Sequence, residues 1–594
     1  MGAENDLARP GARDPKAIVP AGDSASADAI RRLRKELADA RAAKAAVPHL
    51  NAALAAVSAH QFDRAVKACR QALRHDPRND LAHHVLGIAF EKLGDWASSL
   101  DAYEKALALK PDSPEIANDL GRLAFRMQMF PQAEALFRYH LAARPHAPES
   151  SNNLACVLRE QMRYDEAIEV LKPAIQAAPD RPLLWNTLGT IMSDMGETEQ
   201  AAVFFTETLR LDPGHLKARY NRSNILFALG DTETALEDCR SAMEATEAPD
   251  ERATMGLALS TMLLASGDLP QGWEAYEARL SPHFHDPIHF LVNRPQWRAF
   301  DDIQGRHLLL IGEQGLGDEV LFANMLDDVL QALGPGGRLS LAVERRLVPL
   351  FQRSFPQIQV GAHHTFKRHG RNIRSVPWIG DWADVDLWAP LGQPLRQFRL
   401  SLEAFPERPQ GFFRADPERI EHWRGQFAAA PGRKIGLVWT SMLINSSRRK
   451  YFSPIDRWGP IFATPGATFV NLQYGDCSAD IDMVRREFGV EILQPQDIDL
   501  KMDLDDVAAL ASAMDLVIGP ANATSNLAAA CGVPTWLIST PGAWTQLGTD
   551  RYPWYSQARM FSAEAFGDWD PVIARIAGAL SDFVGQGTRA AAAG

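Results

Sequence analysis

A chain of 594 residues is longer than one hydrophobic core sustains, so two or three domains are expected. Hydrophobic residues make up 46% and charged residues 23%, with a formal net charge of -12; this is the composition of an ordinary globular chain and excludes a general electrostatic grip on nucleic acid. Five scattered cysteines, Cys69, Cys156, Cys239, Cys477 and Cys531, contain no C-x-x-C pair, which argues against a disulfide framework or a zinc site and fits a reducing cytoplasm. The opening MGAENDLARPGARDP has no apolar signal core, and no stretch reaches the apolar length of a membrane span, so no membrane insertion is expected.

Residues 1 to 27 are rich in Ala, Asp, Gly and Pro and read as a disordered tail. AIRRLRKELADARAAKAA, residues 29 to 46, reads as a mixed-charge capping helix, and together these make a first segment over 1–45. A repeat then begins. Pro77, Pro111, Pro145, Pro179 and Pro213 fall 34 residues apart, and Ala65, Ser99, Ala133, Ala167, Ala201 and Ala235 keep the same interval. A small residue lets two antiparallel helices approach, and a proline stops the second because it lacks the N–H. This pattern resembles the tetratricopeptide repeat (TPR), and six units fit between residues 46 and 249. Units of that kind stack into an α-solenoid, or superhelix, whose groove takes a protein partner.

Asn118, Asn152 and Asn186 hold one equivalent position in successive units. In related TPR transferases an asparagine column binds an extended peptide backbone, so the resemblance implies acceptor binding here; the other reading is that these amides satisfy neighbouring helices. LLASGDLPQGWEAYEARL, residues 263 to 280, reads as a final helix pair. With the Pro-interrupted stretch after it, residues 250–300 form a cap and junction.

From residue 306 short apolar runs alternate with helical stretches. RHLLLIG, RLSLAV, RKIGLVWTS, ATFVNLQY, MDLVIGP and PTWLIST read as buried parallel strands. A break near residues 413 to 434 suggests two doubly wound, Rossmann-like α/β lobes, 301–430 and 431–594, with a cleft at the carboxyl ends of their strands.

IGEQGLGDEVLF, residues 311 to 322, crowds three glycines and three carboxylates into one strand-to-helix turn. Gly315-x-Gly317 lacks the third glycine of a dinucleotide fingerprint, and no Gly-Lys-Ser/Thr follows for a P-loop. The turn resembles the GD turn of GT-B glycosyltransferases of the heptosyltransferase-like group. GLVWTS, VNLQYGD, LDDVAALASAMDLVIGP, SNLAAACGVPTWLI and PWYSQARMF follow in that family's order. Repeat plus transferase is an architecture shared in outline with protein O-GlcNAc transferases. EQGLGDEVLFANML, SSRRKYFSPIDRW and GPANATSNLAAACGVP are most similar to TPR-linked bacterial transferases that modify flagellin with a nonulosonic acid such as pseudaminic acid.

The resemblance implies a metal-independent protein O-glycosyltransferase with no resident cofactor. It would take a CMP-activated nonulosonic acid as nucleotide-sugar donor and a protein, flagellin, as acceptor. Asp318 corresponds to the family's catalytic aspartate, a general base whose pKa partial burial would raise; alternatively it caps a helix spanning 319 to 333, and Glu319 is the second candidate base. Donor contacts are implied for Thr440, for Arg448, Arg449 and Lys450 as phosphate and carboxylate binders, and for Tyr474 as a stacking ring. Asn522, Thr524, Ser525 and Asn526 open a helix whose N–H groups suit a leaving phosphate, or serve as its cap. Many relatives have Asp, Thr and His where this chain has Ala521, Asn522 and Asn526, which leaves open a UDP- or GDP-sugar enzyme or a TPR scaffold with a degenerate lobe. His283, His285, His363, His364 and His369 read as loop histidines, with no metal site.

Overall fold

The 34-residue period produces helical hairpins, and in three of the units a glycine stands opposite a ring, which lets the two helices approach. The computed structural model describes residues 23–284, 287–368, 371–441 and 448–593. Its contacts divide the chain into one unit up to Val157 and a second from Leu158 onward. In the first, Asp80–Leu93 pairs with Trp96–Leu109 and Pro114–Arg126 with Phe130–Ala143. In the second, Pro182–Met195 pairs with Thr198–Leu211, Leu216–Ala228 with Thr232–Ala245, and Pro249–Ala265 with Leu269–Ala275. A Cβ on Gly87 would lie 2.6 Å from Tyr103, on Gly121 2.9 Å from Phe137, and on Gly189 2.8 Å from Phe205. The unit that has Ala155 at this position has Leu171 in place of the aromatic residue. Ser99 adds a buried hydrogen bond, its Oγ donating to the Gly87 carbonyl at 2.8 Å.

Two expectations about the amino-terminal region change. Residues 1–22 lie outside the described residues, but 23–27 and the capping segment 29–46 join one helix, Asp23–Ser58. A boundary at 45 therefore falls inside a helix. Its alanine-rich composition favours helix throughout, and Ala53 and Ala56 pack with Ala65 and Val66 of the next helix, Phe62–His75.

The alternating half contains three sheets. The first lobe has β1 (Ile288–Phe290), β2 (His307–Ile311), β3 (Arg338–Val343), β4 (Gln359–Ala362), β5 (His364–Arg368), β6 (Arg371–Ser375) and β7 (Leu387–Pro390). The second has β8 (Arg433–Leu437), β9 (Ala467–Asn471), β10 (Ile492–Leu493), β11 (Leu516–Pro520), β12 (Thr535–Ser539) and β13 (Ala558–Ser562). Parallel sheets run β4-β3-β2-β7 and β10-β9-β8-β11-β12-β13, and β1-β6-β5 forms a small separate sheet. All five residues of β2, of β11 and of β12 are buried, as strands covered on both faces by helices require. In each parallel sheet the strand order reverses beside the first strand of that sheet, between β2 and β7 and between β8 and β11.

One aromatic cluster joins the end of the repeats to both lobes. Trp273 meets Tyr276, Trp544 and Trp554 edge to face at centroid separations of 5.7, 6.2 and 6.3 Å. Phe322 and Phe405 of the first lobe also contact Trp554. Trp273 Nε1 donates to the Arg399 carbonyl at 2.7 Å, and Asn324 Nδ2 to the Trp554 carbonyl at 2.9 Å.

The hairpin packing gives a stability prediction. In an ordinary helix interior Gly→Ala stabilises by up to about 1 kcal/mol; here the methyl would overlap Phe205. Gly189→Ala should therefore destabilise by about 1–3 kcal/mol in urea unfolding, and Phe205→Leu in the same chain should recover part of that loss.

Candidate active site

The reversal of strand order in each parallel sheet marks the place at the carboxyl ends of the strands where an α/β sheet accepts ligands. In the first lobe that place is occupied by the turn after β2. Gly312 N–H donates to the Ala342 carbonyl at 2.7 Å, and a Cβ on Gly312 would lie 2.3 Å from the Glu319 carboxylate, so only glycine fits. Gln314 adopts φ 53°, and the Leu316–Phe322 helix begins directly after it. The continuous helix expected over 319 to 333 is interrupted by a 3-10 turn at Ala323–Met325 before Leu326–Leu333.

The three carboxylates of this turn have different surroundings. Glu313 is buried and takes two bonds from Arg279, Nε at 2.9 Å and Nη2 at 3.0 Å. Glu319 is buried, accepts Glu344 N–H at 2.7 Å and faces His363 Nε2 at 3.0 Å. Both its oxygens are thus engaged, and His363, in the connection between β4 and β5 where a loop histidine was expected, turns a side chain only 6% exposed onto it. Asp318 is only half-buried. Its Oδ2 accepts Gly315 N–H at 3.0 Å, the backward half of a capping box. Desolvation pushes its pKa up to about 6, against the Gly315 hydrogen bond, and the Glu313 and Glu319 charges push the same way. Asp318 is thus a cap that also has the acidity of a proton acceptor near neutrality.

The Ala523–Ala530 helix of the second lobe packs directly against Leu316–Phe322. A Cβ on Gly317 would sit 3.5 Å from Ala523 N and 3.7 Å from Asn526 Nδ2. Asn522 is the N-cap, its Oδ1 accepting Ser525 N–H at 3.1 Å, while its Nδ2 is buried with no partner. Asn526 Oδ1 accepts the Tyr552 hydroxyl at 3.3 Å. Thr524 is buried. Ser525, expected as a donor contact, is fully buried and donates to the Pro520 carbonyl at 2.7 Å, so its hydroxyl belongs to the turn.

The other expected donor residues are dispersed. Lys450 Nζ donates to the carbonyl and hydroxyl oxygens of Ser193, at 2.9 and 3.2 Å, and lies 4.9 Å from the Phe566 ring centre. It clamps the carboxyl end of the Pro182–Met195 repeat helix, where cations are favoured. Arg449 and Thr440 line a cavity of about 470 Å³ together with Asp456, Asp480 and Glu487; three carboxylates to one guanidinium make a poor anion site. Arg448 is exposed and Tyr474 half-buried. Gln473 and Gly475, either side of Tyr474, line a separate cavity of about 750 Å³ with Asp476, Asp482 and Asp499. His285 and His369 lie outside the described residues, and among the described ones no metal-holding group of His, Cys, Asp and Glu occurs.

The asparagine column is also corrected. Asn152 and Asn186 are buried, at 7% and 6% exposure. Asn118 accepts Ser150 Oγ at 3.0 Å and Asn186 accepts Asn221 Nδ2 at 3.3 Å. Asn118 and Asn186 thus serve bonds between successive repeat helices, and Asn152 bonds to Asn153 of its own helix. Sequence reading missed a cavity of about 410 Å³ shared by the later repeats and the second lobe. Asn224, Phe227 and Met262 line it from the repeats, with Lys450, Ala521 and Trp544 opposite.

The raised Asp318 pKa has a consequence for stability. A carboxyl raised from its ordinary 3.8 to about 6 opposes folding once it must ionise; the cost is absent below the unfolded value and grows as pH rises through about 6. With a discount for partial exposure, Asp318→Asn should stabilise the fold by about 1–2 kcal/mol at pH 7.5. Denaturant unfolding should show that gain shrinking towards zero near pH 4.

The tetratricopeptide repeat family matches residues 50–114, 118–182 and 187–252. Among solved structures the chain is similar over its repeats to Pseudomonas aeruginosa PilF, with 16% identity, a TM-score of 0.30, and coverage of 33% of this chain and 90% of that one. Similarity of the same kind extends to PilW, a type IV pilus biogenesis factor, with 22% identity, a TM-score of 0.32, and coverage of 34% and 93%. Protein FlbA of Caulobacter vibrioides is 48% identical over 571 residues, which is 96% of this chain and 95% of FlbA. The likeness therefore runs through the repeats, the turn at Asp318 and both lobes, and the chain belongs to the FlbA family.

Proposed function

We propose that the chain is a GT-B protein O-glycosyltransferase that captures a protein acceptor on its repeats and modifies a serine or threonine in the crevice between the lobes. The reading rests chiefly on one juxtaposition: the half-buried Asp318 turn packed against the N-terminus of Ala523–Ala530, where Asn522 Nδ2 is buried without a partner. In the proposed step Asp318 takes the proton of the acceptor hydroxyl. The hydroxyl oxygen attacks the anomeric carbon of the donor sugar, and the bond from that carbon to the nucleotide phosphate oxygen breaks. The phosphate leaves with the electron pair, met by the helix N–H groups and Asn522. The chemistry on this chain's side requires no metal.

Acceptor and donor identity come from resemblance: flagellin, and a nonulosonic acid activated by CMP. The 410 Å³ cavity supports the repeats delivering a polypeptide, since Phe227 and Met262 of the repeat half and Ala521, next to Asn522, line the same space.

Incubating the purified protein with flagellin and a panel of activated sugars, read by intact mass, tests this. An acceptor mass increase with the CMP-nonulosonate is expected. Asp318→Asn should cut the rate by about 10²–10⁴-fold while leaving flagellin binding within twofold. An increase with a UDP- or GDP-sugar would replace the donor, and no increase with any donor beside tight flagellin binding would replace the enzyme with a scaffold.

A further inference from the structure

The turn that carries Asp318 is held from outside its own lobe. Arg279 belongs to the 3-10 turn Tyr276–Leu280 that ends the repeat half. Its guanidinium is bidentate to Glu313, and both side chains are 3% exposed. Nη1 donates back to the Tyr276 carbonyl at 2.9 Å, and the guanidinium carbon lies 4.2 Å from the Tyr276 ring centre. The Tyr276 hydroxyl donates to Gln314 Oε1 at 3.0 Å. On the far side Gly392 N–H donates to Glu313 at 2.6 Å, and a Cβ on Gly392 would lie 2.7 Å from Glu313 and 3.2 Å from Arg279. Two consecutive residues of the turn, Glu313 and Gln314, are thus gripped by one turn of the repeats, and the next, Gly315, bonds to Asp318.

A buried ion pair is weak grounds for stability, since packed apolar residues often serve as well. Fixing a loop and neutralising a charge beside a reacting group are things only the pair does. We propose that Arg279 is a positioning residue for Asp318: the last turn of the repeat half supplies the counter-charge that holds Glu313, and thereby sets the geometry and electrostatics of the turn in which Asp318 acts. The inference rests on the proposed role of Asp318. The titratable groups around Asp318 are Glu313 and Glu319 from its own segment, Tyr276 from the repeats and Tyr552 from the second lobe. The Ala523–Ala530 helix contributes none. Arg279 neutralises Glu313, and His363 and the Glu344 N–H engage Glu319; the buried Arg374, which donates to the Gly312 carbonyl, is attracted to both carboxylates from β6. Removing Arg279 therefore takes away the only cation paired to Glu313 among the described residues and makes the surroundings of Asp318 more negative by one charge, and removing the Glu313 charge makes them less negative by one.

The test is the pH profile of sugar transfer by the full chain in Arg279→Met, Glu313→Gln and Arg279→Lys. Arg279→Met should lower the rate at least tenfold and move the ascending limb to higher pH by about one unit. Glu313→Gln should also lower the rate but move the limb to lower pH, and Arg279→Lys should return the limb to the wild-type position. A purely structural pair would lower all rates without moving the limb, or move it the same way in both charge-removing variants, and either result overturns the proposal. If Arg279→Met does not fold, Glu313→Gln and Arg279→Lys decide it by the same criteria. If the wild-type protein transfers no sugar, the functional reading fails by itself. Carbon-13 titration of the Asp318 carboxyl, assigned with Asp318→Asn, then tests the pair by the same opposed displacements.

Discussion

The structure from Leu158 onward depends on one seam of buried rings. Trp273 and Tyr276 end the repeats, Phe322 and Phe405 come from the first lobe, and Trp544 and Trp554 from the second; all meet within about 6.4 Å between centroids. Each such ring buries a large apolar surface, and edge-to-face pairing adds about 0.5–1.5 kcal/mol per contact. Polar groups at the seam are satisfied: Trp273 bonds to Arg399, Asn324 to Trp554, and the Arg399 guanidinium to Asn324 and Asp328. The Trp273–Tyr276 segment that ends the repeats is therefore fastened to the lobes by a common core, so that the turn at Asp318 and the helix at Ala523 share one frame with it.

From that frame the site follows by elimination among similar residues. Three carboxylates crowd the turn after β2, but Glu313 is neutralised by Arg279 and Glu319 is engaged by His363 and a backbone N–H. Of the three only Asp318 is half-buried rather than buried, and the Glu313 and Glu319 charges help keep its pKa near 6. Opposite, Asn522 spends its oxygen on the helix and has an amide group left over. The proposed reaction divides its work accordingly, with a proton acceptor on one lobe and hydrogen-bond donors for the leaving phosphate on the other.

Much of this was legible in the sequence where local rules dominate. The prolines from Pro77 to Pro213 marked the repeats, and six apolar runs marked β2, β3, β8, β9, β11 and β12. Short or polar strands escaped: β10 is two residues long, and β5 and β6, HTFKR and RNIRS, have no apolar run to read. Glycine spacing pointed to the turn at Asp318. The grip on that turn was hidden because Arg279 and Glu313 are 34 residues apart in segments of different type, and a lone charge in sequence looks solvated. Lys450 misled for the converse reason: a basic run suggests an anion, whereas its ammonium caps a repeat helix at Ser193. Asn152 and Asn186 occupy the position a groove would use, yet contacts between stacked helices bury them.

The central claim is that a nucleotide phosphate departs at the N-terminus of Ala523–Ala530, facing Asp318. A crystal structure of the protein with CMP tests it most directly. The account predicts the phosphate within hydrogen-bond distance of Asn522 Nδ2 and the first N–H groups of that helix, with space for a sugar between it and Asp318. Phosphate density in the cavity beside Asp476 and Asp499, leaving the Asn522 amide untouched, would contradict it.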